Sequence, residues 1–255
     1  MRIDLNADLG EGFGPWKMGE DDGLMEIISS ANVACGFHAG DPLIMDTTVR
    51  LALARGIDLG GHVGFPDLLG FGRRAMQVDT RELQTYVVYQ LGALAATARV
   101  NGHRLTHMSF HGALGNRVAA DAELADALLA TVKAFDPALI VSSSTSQAME
   151  RAADKHGLRI ATTFLADRAY DKQGLLVPRA LPDSVIKQPE RVRERIRQFL
   201  DSGTVTCYTG EVINVPACSI LLHGDNANAL ELARTIRREI EQGGGQIVPL
   251  SQLVD

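Results

Sequence analysis

One pattern recurs along the chain and restricts its architecture more than any other: an amphipathic helix, then glycine, then a short apolar run. It appears at ARGIDLGGH (Gly56), VNGHRLTHMSF (Gly102), KHGLRIATTF (Gly157), DSGTVTCY (Gly203) and QGGGQIVPL (Gly243 to Gly245). Glycine just past a helix takes the left-handed conformation without Cβ strain, and the Ile-, Val-, Leu- and Thr-rich runs that follow read as buried strands. Strand alternating with helix implies a parallel sheet covered by helices. Seven strands are predicted, near 2–7, 31–35, 57–62, 105–110, 138–142, 159–164 and 218–222, with an eighth candidate at 246–249. That number fits a closed or nearly closed β/α barrel; an open doubly wound sheet is the alternative.

Helix starts are marked too. Asp41-Pro42 reads as an N-cap followed by proline at the first helical position, and Asp79 with Glu82 as a capping box. After it, Leu83, Val87, Leu91, Leu94 and Ala98 form one apolar stripe. Further helices are predicted over about 122–134, 145–156, 189–201 and 226–241. The terminating glycines lie 46, 55, 46 and 40 residues apart, longer than minimal βα units, so some loops are extended. Residues 167–187 fit no helix and read as a long functional loop, and 204–217 as a small hairpin. At 255 residues the chain suits one domain spanning 1–255.

Composition narrows the function. Charged residues make up 22% with a net charge of −6, and the most basic stretch, QPERVRERIRQ, interleaves Glu190 and Glu194, so nucleic acid is excluded as a partner. No window approaches the ~18 apolar residues of a membrane span, and the first ten residues lack the apolar core of a leader. Three scattered cysteines, Cys35, Cys207 and Cys218, make no disulfide framework. A soluble, cytoplasmic protein is expected, with a homo-oligomer left open.

In parallel α/β proteins the site lies at the carboxyl ends of the strands. Those loops carry, in order, Asn6, Asp8 and Glu11; His38 and Asp41; His62, Asp67, Arg73 and Arg74; His111 and Asn116; Asp167, Arg168 and Asp171; and His223 and Asp225. Four of the seven histidines therefore fall at strand ends, whereas His103, His107 and His156 have no such context. One such histidine would be structural more often than not; four at equivalent positions point to a site. Individual residues keep plainer alternatives. Asp41 and Asp225 could simply cap helices, Asp4 could face a helix, Arg168 could anchor the long loop, and Cys35 reads as a buried structural thiol before a nucleophile.

Asp, Glu and His together can activate a water by general base catalysis or hold a divalent metal that acidifies it. No HExxH or paired-cysteine spacing exists, so metal ligands would come from separate loops, with Asp8, His38 and His62 the candidates. No P-loop is present either, so an ATP site would be unconventional or belong to a partner.

The segment DLNADLGEGFGPWKMGEDDGLMEIISSANVACGFHAGDP closely resembles the LamB/YcsF family, which includes 5-oxoprolinase A subunits. The likeness continues through GHVGFPDLLGFGRR, YQLGAL, FHGALGN, LADRAY, GLLVPR and HGDN, covering essentially the whole chain. It implies a seven-stranded, TIM-like β/α barrel of the polysaccharide-deacetylase type. It further implies ATP-dependent opening of the lactam 5-oxo-L-proline to L-glutamate, with Mg2+ and two partner subunits, B and C. By motif, Asp8, Glu11, His38, His62, His111 and Asp225 are the expected catalytic residues, and Asn6, Arg73, Asn116, Arg168 and His223 the expected substrate contacts. Asp8 or His38 would activate water; His111 and Arg168 would orient substrate or stabilise developing charge. Two motifs depart from the family pattern. His-Pro-Gly-Tyr-Pro-Asp reads here His62-Val63-Gly64-Phe65-Pro66-Asp67, and Lys-Pro-His-Gly-Ala-Leu-Tyr-Asn reads Ser109 to Asn116. Loss of the lysine ammonium and of the tyrosine volume near His111 suggests a bulkier or less acidic cyclic amide. A stand-alone, metal-dependent deacetylase or amidohydrolase is the competing function.

Overall fold

The computed structural model describes residues 1–226 and 228–254. Chain order runs β1 (Arg2–Leu9), α1 (Asp21–Met25), β2 (Ser30–Ala34), α2 (Pro42–Arg55), β3 (Asp58–Val63), α3 (Thr80–Val100), β4 (Leu105–Phe110), α4 (Gly112–Ala120) and α5 (Ala122–Phe135). It continues through β5 (Ile140–Ser143), α6 (Gln147–His156), β6 (Arg159–Leu165), α7 (Pro189–Ser202), β7 (Thr204–Thr206), β8 (Val212–Asn214), β9 (Ser219–Leu222), α8 (Ala229–Gln242) and β10 (Gln246–Ile247). Strands β1 to β6 and β9 pair in parallel, and β9 returns to β1, closing a seven-stranded barrel. Strand β10, the eighth candidate, adds parallel to the start of β1 outside the ring, while β7 and β8 form the antiparallel hairpin expected over 204–217.

All seven barrel strands fall where the apolar runs predict them, and the glycine punctuation explains why. Gly56, Gly157 and Gly203 each end a helix in the left-handed conformation. After α8 the left-handed residue is Gly244, while Gly243 stays at a negative φ. Asp41 caps α2 by accepting from the Leu43 and Ile44 amides, so capping accounts for it. Asp79 accepts from the Glu82 amide, half of the expected box, because the Glu82 carboxylate is taken by the Tyr86 hydroxyl. The expected helix over 226–241 begins at Ala229; residue 227 lies outside the described residues. Two helices were not anticipated: short α1, and α4, which starts directly after His111 and places Asn116 on a helix, not in a loop.

The two strand faces are chemically different. Outward, Ile3, Leu5, Ala7 and Leu9 of β1, Val33 of β2 and Ile220 of β9 pack beneath α2, α7 and α8. Met108 and Val141 pack beneath α3 to α6, where Leu83, Val87 and Leu91 of the predicted stripe are fully buried. Each such Val, Leu, Ile or Met side chain contributes about 1.5–3 kcal/mol. Inward, the barrel is mostly polar, with Ile140, Ala161 and Leu250 forming a small apolar cluster of their own. Asp4 does not face a helix: it is fully buried and accepts hydrogen bonds from the hydroxyls of Ser29, Ser30 and Ser219 at 2.6–2.7 Å. One layer higher, Asn32 joins His107, whose ring lies against Gly60 on β3.

Candidate active site

Asp8 ends the inward-facing polar series of β1, Glu11 follows in the next loop, and His38 lies in the loop after β2. His62 is on β3, His111 follows β4, and Asp167 and His223 follow β6 and β9. All seven are at least nine-tenths buried. Beside them opens a cavity of about 470 Å3 lined by Asp8, His62, His111, His223, Ser109, Asn116, Arg73, Arg168 and Arg179. The long loop contributes Leu176, Pro178, Arg179 and Ala180 to its wall.

The imidazoles form a directed chain. His111 Nε2 lies 2.8 Å from the Phe71 carbonyl, which can only accept, so that nitrogen carries the proton. Burial, with His38 and His62 nearby, drives His111 well below the ordinary imidazole value, so the ring is neutral and its Nδ1 is an acceptor. His62 Nε2, 2.9 Å away, is therefore the donor, and in the neutral ring His62 Nδ1 accepts from the Ser109 hydroxyl at 2.6 Å. Phe71 reaches this position in the left-handed region (φ 53°), followed by Gly72 (φ 62°). A Cβ on Gly72 would lie 2.7 Å from His38 Cβ and 2.8 Å from His111 Cδ2, so only glycine lets the loop close over the rings. His38 stacks on His111 with centroids 3.7 Å apart and 5° between planes.

Two buried carboxylates are pushed in opposite directions. Burial would raise Asp8, but His62 at 3.5 Å, His223 and the Asn32 amide outweigh it and hold the carboxyl below the ordinary carboxylate range. Glu11 is pushed well above that range by burial and by Asp8 and Asp225. In the same cavity His223 Nδ1 donates to both oxygens of Asp167 at 2.9 and 3.0 Å, which fixes the tautomer and leaves Nε2 as the nitrogen free to act. The remaining wall is cationic. Arg73 is paired bidentately with Asp225, and Arg168 donates to the carbonyls of Ser184 and Val177. Arg179 makes no hydrogen bond or ion pair among the described residues. Burial and neighbouring guanidinium groups lower both Arg168, to about 10, and Arg179, yet each stays charged at neutral pH.

The model of the LamB/YcsF family matches residues 3–255. The chain belongs to the LamB/YcsF family. It is 65% identical over 254 residues to a 5-oxoprolinase A-type subunit of Pseudomonas syringae pv. tomato, spanning 100% of this chain and 99% of the relative. It is 60% identical over 252 residues to a 5-oxoprolinase A-type subunit of Ralstonia nicotianae, spanning 99% of this chain and 97% of that protein. Among solved structures it is similar to a lactam utilization protein from Thermus thermophilus, with a TM-score of 0.91 and 40% identity over 98% of this chain and 100% of that one.

In this LamB/YcsF chain the expected site residues divide into three groups. Asp8, His62, His111, His223, Asn116, Arg73 and Arg168 line the cavity. Glu11 and His38 are packed behind it, against His111: Glu11 Oε1 lies 3.4 Å from His38 Nε2 and 3.6 Å from His111 Nδ1. Asn6 and Asp225 do not line it. Asn6 is fully buried in the barrel interior, its amide without a hydrogen-bond partner among the described residues, and Asp225 neutralises Arg73. Asp225 caps no helix, since α8 starts after Asn228. The expected metal trio also changes. The four potential ligand atoms within 4.8 Å of one another belong to Glu11, His38, His62 and His111, and Asp8 sits beside them against His62 and Asn32. Cys35 is a structural thiol: it is buried, bonds the Val33 carbonyl, and burial pushes it up to about 12. Position 115 is not an emptied volume, because a Cβ there would lie 2.5 Å from the Phe110 carbonyl oxygen. Arg179, Asp167 and Ser109 are contributors to which the sequence assigns no role, although they stand in GLLVPR, LADRAY and the motif from Ser109 to Asn116. The first was hidden in a loop with no periodicity, whereas the other two stood at strand ends.

Proposed function

We propose that this chain is the A component of an ATP-dependent 5-oxoprolinase, which opens 5-oxo-L-proline to L-glutamate together with B and C partner subunits. The observation that carries this reading is the polarity of the cavity. Asp8 and the His223–Asp167 pair meet there with an uncommitted guanidinium, Arg179, close enough to feel the charges of Asp167 and Asp8. A lactam bearing a carboxylate fits that set of groups, with the carboxylate at Arg179 and the ring amide at Asp8 and His223. Arg179 supplies the cation that Ser109 lacks, which favours the acidic lactam over a less acidic one. The names of the relatives support the same substrate class.

ATP belongs to the partner subunits in this scheme, since the sequence has no Gly-Lys pair from which a P-loop could be built. Phosphorylation of the lactam oxygen removes the amide resonance and leaves an electrophilic carbon. Water adds there as His223 Nε2, left with a lone pair by the Nδ1–H bond to Asp167, takes its proton while the Asp8 carboxylate orients the water; the C–N bond breaks, and the same nitrogen returns the proton to the ring nitrogen. The acyl phosphate so formed is hydrolysed by a second water, so one ATP and two waters give glutamate, ADP and phosphate.

The test is 5-oxoproline-dependent release of ADP and glutamate by the chain co-purified with its partners. Both are expected with wild type and lost with Asp8→Asn. ATP-independent hydrolysis of an acetylated amide by the chain alone would refute the reading in favour of a stand-alone amidohydrolase, the alternative that the three-histidine group behind the cavity favours.

A further inference from the structure

Behind the cavity wall, Glu11, His38, His62 and His111 bring four potential ligand atoms within 4.8 Å of one another from four separate strand ends. We infer that these residues form a binding site for one divalent first-row transition-metal ion of the zinc class. The distances are the first ground. Ligands at about 2.0–2.2 Å around a tetrahedral ion stand roughly 3.3–3.5 Å apart. Glu11 Oε1 lies 3.4 Å from His38 Nε2 and 3.6 Å from His111 Nδ1, and His111 Nδ1 lies 2.9 Å from His62 Nε2.

Unmet polar groups are the second ground. Glu11 Oε1 and both ring nitrogens of His38 are buried without a hydrogen-bond partner among the described residues. A buried polar atom left unsatisfied destabilises the fold, and a shared ligand would offset that cost. The third ground is the support behind the rings. The far nitrogen of His111 is held by the Phe71 carbonyl at 2.8 Å, and that of His62 by the Ser109 hydroxyl at 2.6 Å. Such partners orient imidazole ligands in metal sites.

Ser109 also permits the tautomer change that binding requires. To ligate, His62 moves its proton from Nε2 to Nδ1, and a hydroxyl that donated to Nδ1 can turn and accept from it. His111 needs no change, since its Nδ1 already presents a lone pair. Lone pairs lie in the ring plane, so His38 tilts out of its stack on His111, and no hydrogen bond restrains it. Three imidazoles and one carboxylate suit zinc or cobalt, whereas magnesium and calcium prefer all-oxygen sites. When bound, the ion would supply Lewis acidity beside the cavity.

The experiment uses the full chain stripped with EDTA and titrated calorimetrically with Zn2+, and loaded with Co2+ for absorption spectroscopy. Metal uptake is read without turnover, so it stands or falls apart from lactam opening. Expected are one ion per chain with Kd of about 1 μM or tighter, and Co2+ bands of a four-coordinate site without thiolate charge transfer. Glu11→Gln and His38→Ala should each weaken binding at least ~100-fold, and Ser109→Ala about 10–100-fold. His156→Ala, on the surface beside Asp126, should change nothing. If His38→Ala unfolds by circular dichroism, the near-isosteric Glu11→Gln carries the comparison. Failure of folded wild type to take up a stoichiometric ion, or unchanged uptake by Glu11→Gln, overturns the inference.

Discussion

Asp4 offers a test of the barrel interior that is independent of any activity. It is fully buried at the base of the barrel, and burial pushes its carboxyl up to about 6 even though three serine hydroxyls donate to it. The unfolded chain should titrate this group near 3.8. Because the folded value is the higher, the contribution to stability is complete below pH 3.8 and is lost as pH rises through 6. The loss amounts to about 3 kcal/mol by pH 7, roughly half of it already by pH 5. Asp4→Asn keeps the shape and most of the hydrogen bonds but cannot ionise. Its melting temperature minus that of wild type should therefore rise by about 5–10 °C between pH 4 and 7.5, over which about 2.4 kcal/mol is lost, at about 2–4 °C per kcal/mol for a chain of this size. Taking the difference cancels other titrations. Among them is buried His107, lowered to about 4, whose contribution is lost in the opposite sense as pH falls from 6.5. A difference that stays flat across this range would show that Asp4 is not buried as a strained carboxylate.

Three further outcomes are expected. Arg179→Ala should lower kcat/KM for 5-oxoproline about 10–150-fold, mainly through KM, with partial recovery in Arg179→Lys; equal loss with an uncharged lactam would rule out a carboxylate contact. Asp167→Asn should reduce kcat about 100–10,000-fold with little change in KM, because His223 loses the acceptor that fixes its tautomer, and steady-state kinetics on the assembled complex measure it. Gly60→Ala places a Cβ 2.2 Å from the His107 ring and should destabilise the fold by about 3 kcal/mol or more in denaturant titration.

The strands and most helices could be read in the sequence because each is bounded by local chemistry: a glycine that only a left-handed residue satisfies, an aspartate cap, an apolar stripe. Convergence of His38, His62, His111 and His223 followed from one topological rule, that strand carboxyl ends gather at one face. What resisted reading was the difference between the two faces of each strand. Strands taken as uniformly apolar hide an alternation that is present in the residues: Asp4, Asn6 and Asp8; Ser30 and Asn32; His107, Ser109 and His111. In this barrel the outward groups are apolar beneath the helices, while period-two polar residues fill much of the interior beside Ile140 and Ala161. For that reason His107, set aside as lacking context, belongs to the interior, and Asp4 does not face a helix. Helix α4 escaped because FHGALGN reads as a loop in composition, and Arg179 because loop residues reach a site by tertiary closure alone.

Asn32 shows how the interior and the site depend on each other. Its Nδ2 donates to Asp8 Oδ1 at 2.9 Å, and its Oδ1 accepts from His107 Nε2 at 3.1 Å. The amide can satisfy both only in one orientation, and that orientation requires a proton on His107 Nε2, its Nδ1 facing the Thr106 hydroxyl. Between an Nε2–H on one side and a carboxylate that can only accept on the other, Asn32 is fixed and one oxygen of Asp8 is held. The position of the Asp8 carboxylate is thus set by residues with no access to substrate. A wholly apolar interior would pack as well but could not hold that carboxylate in a single rotamer beside His62, which explains why polar side chains occupy the middle of this barrel.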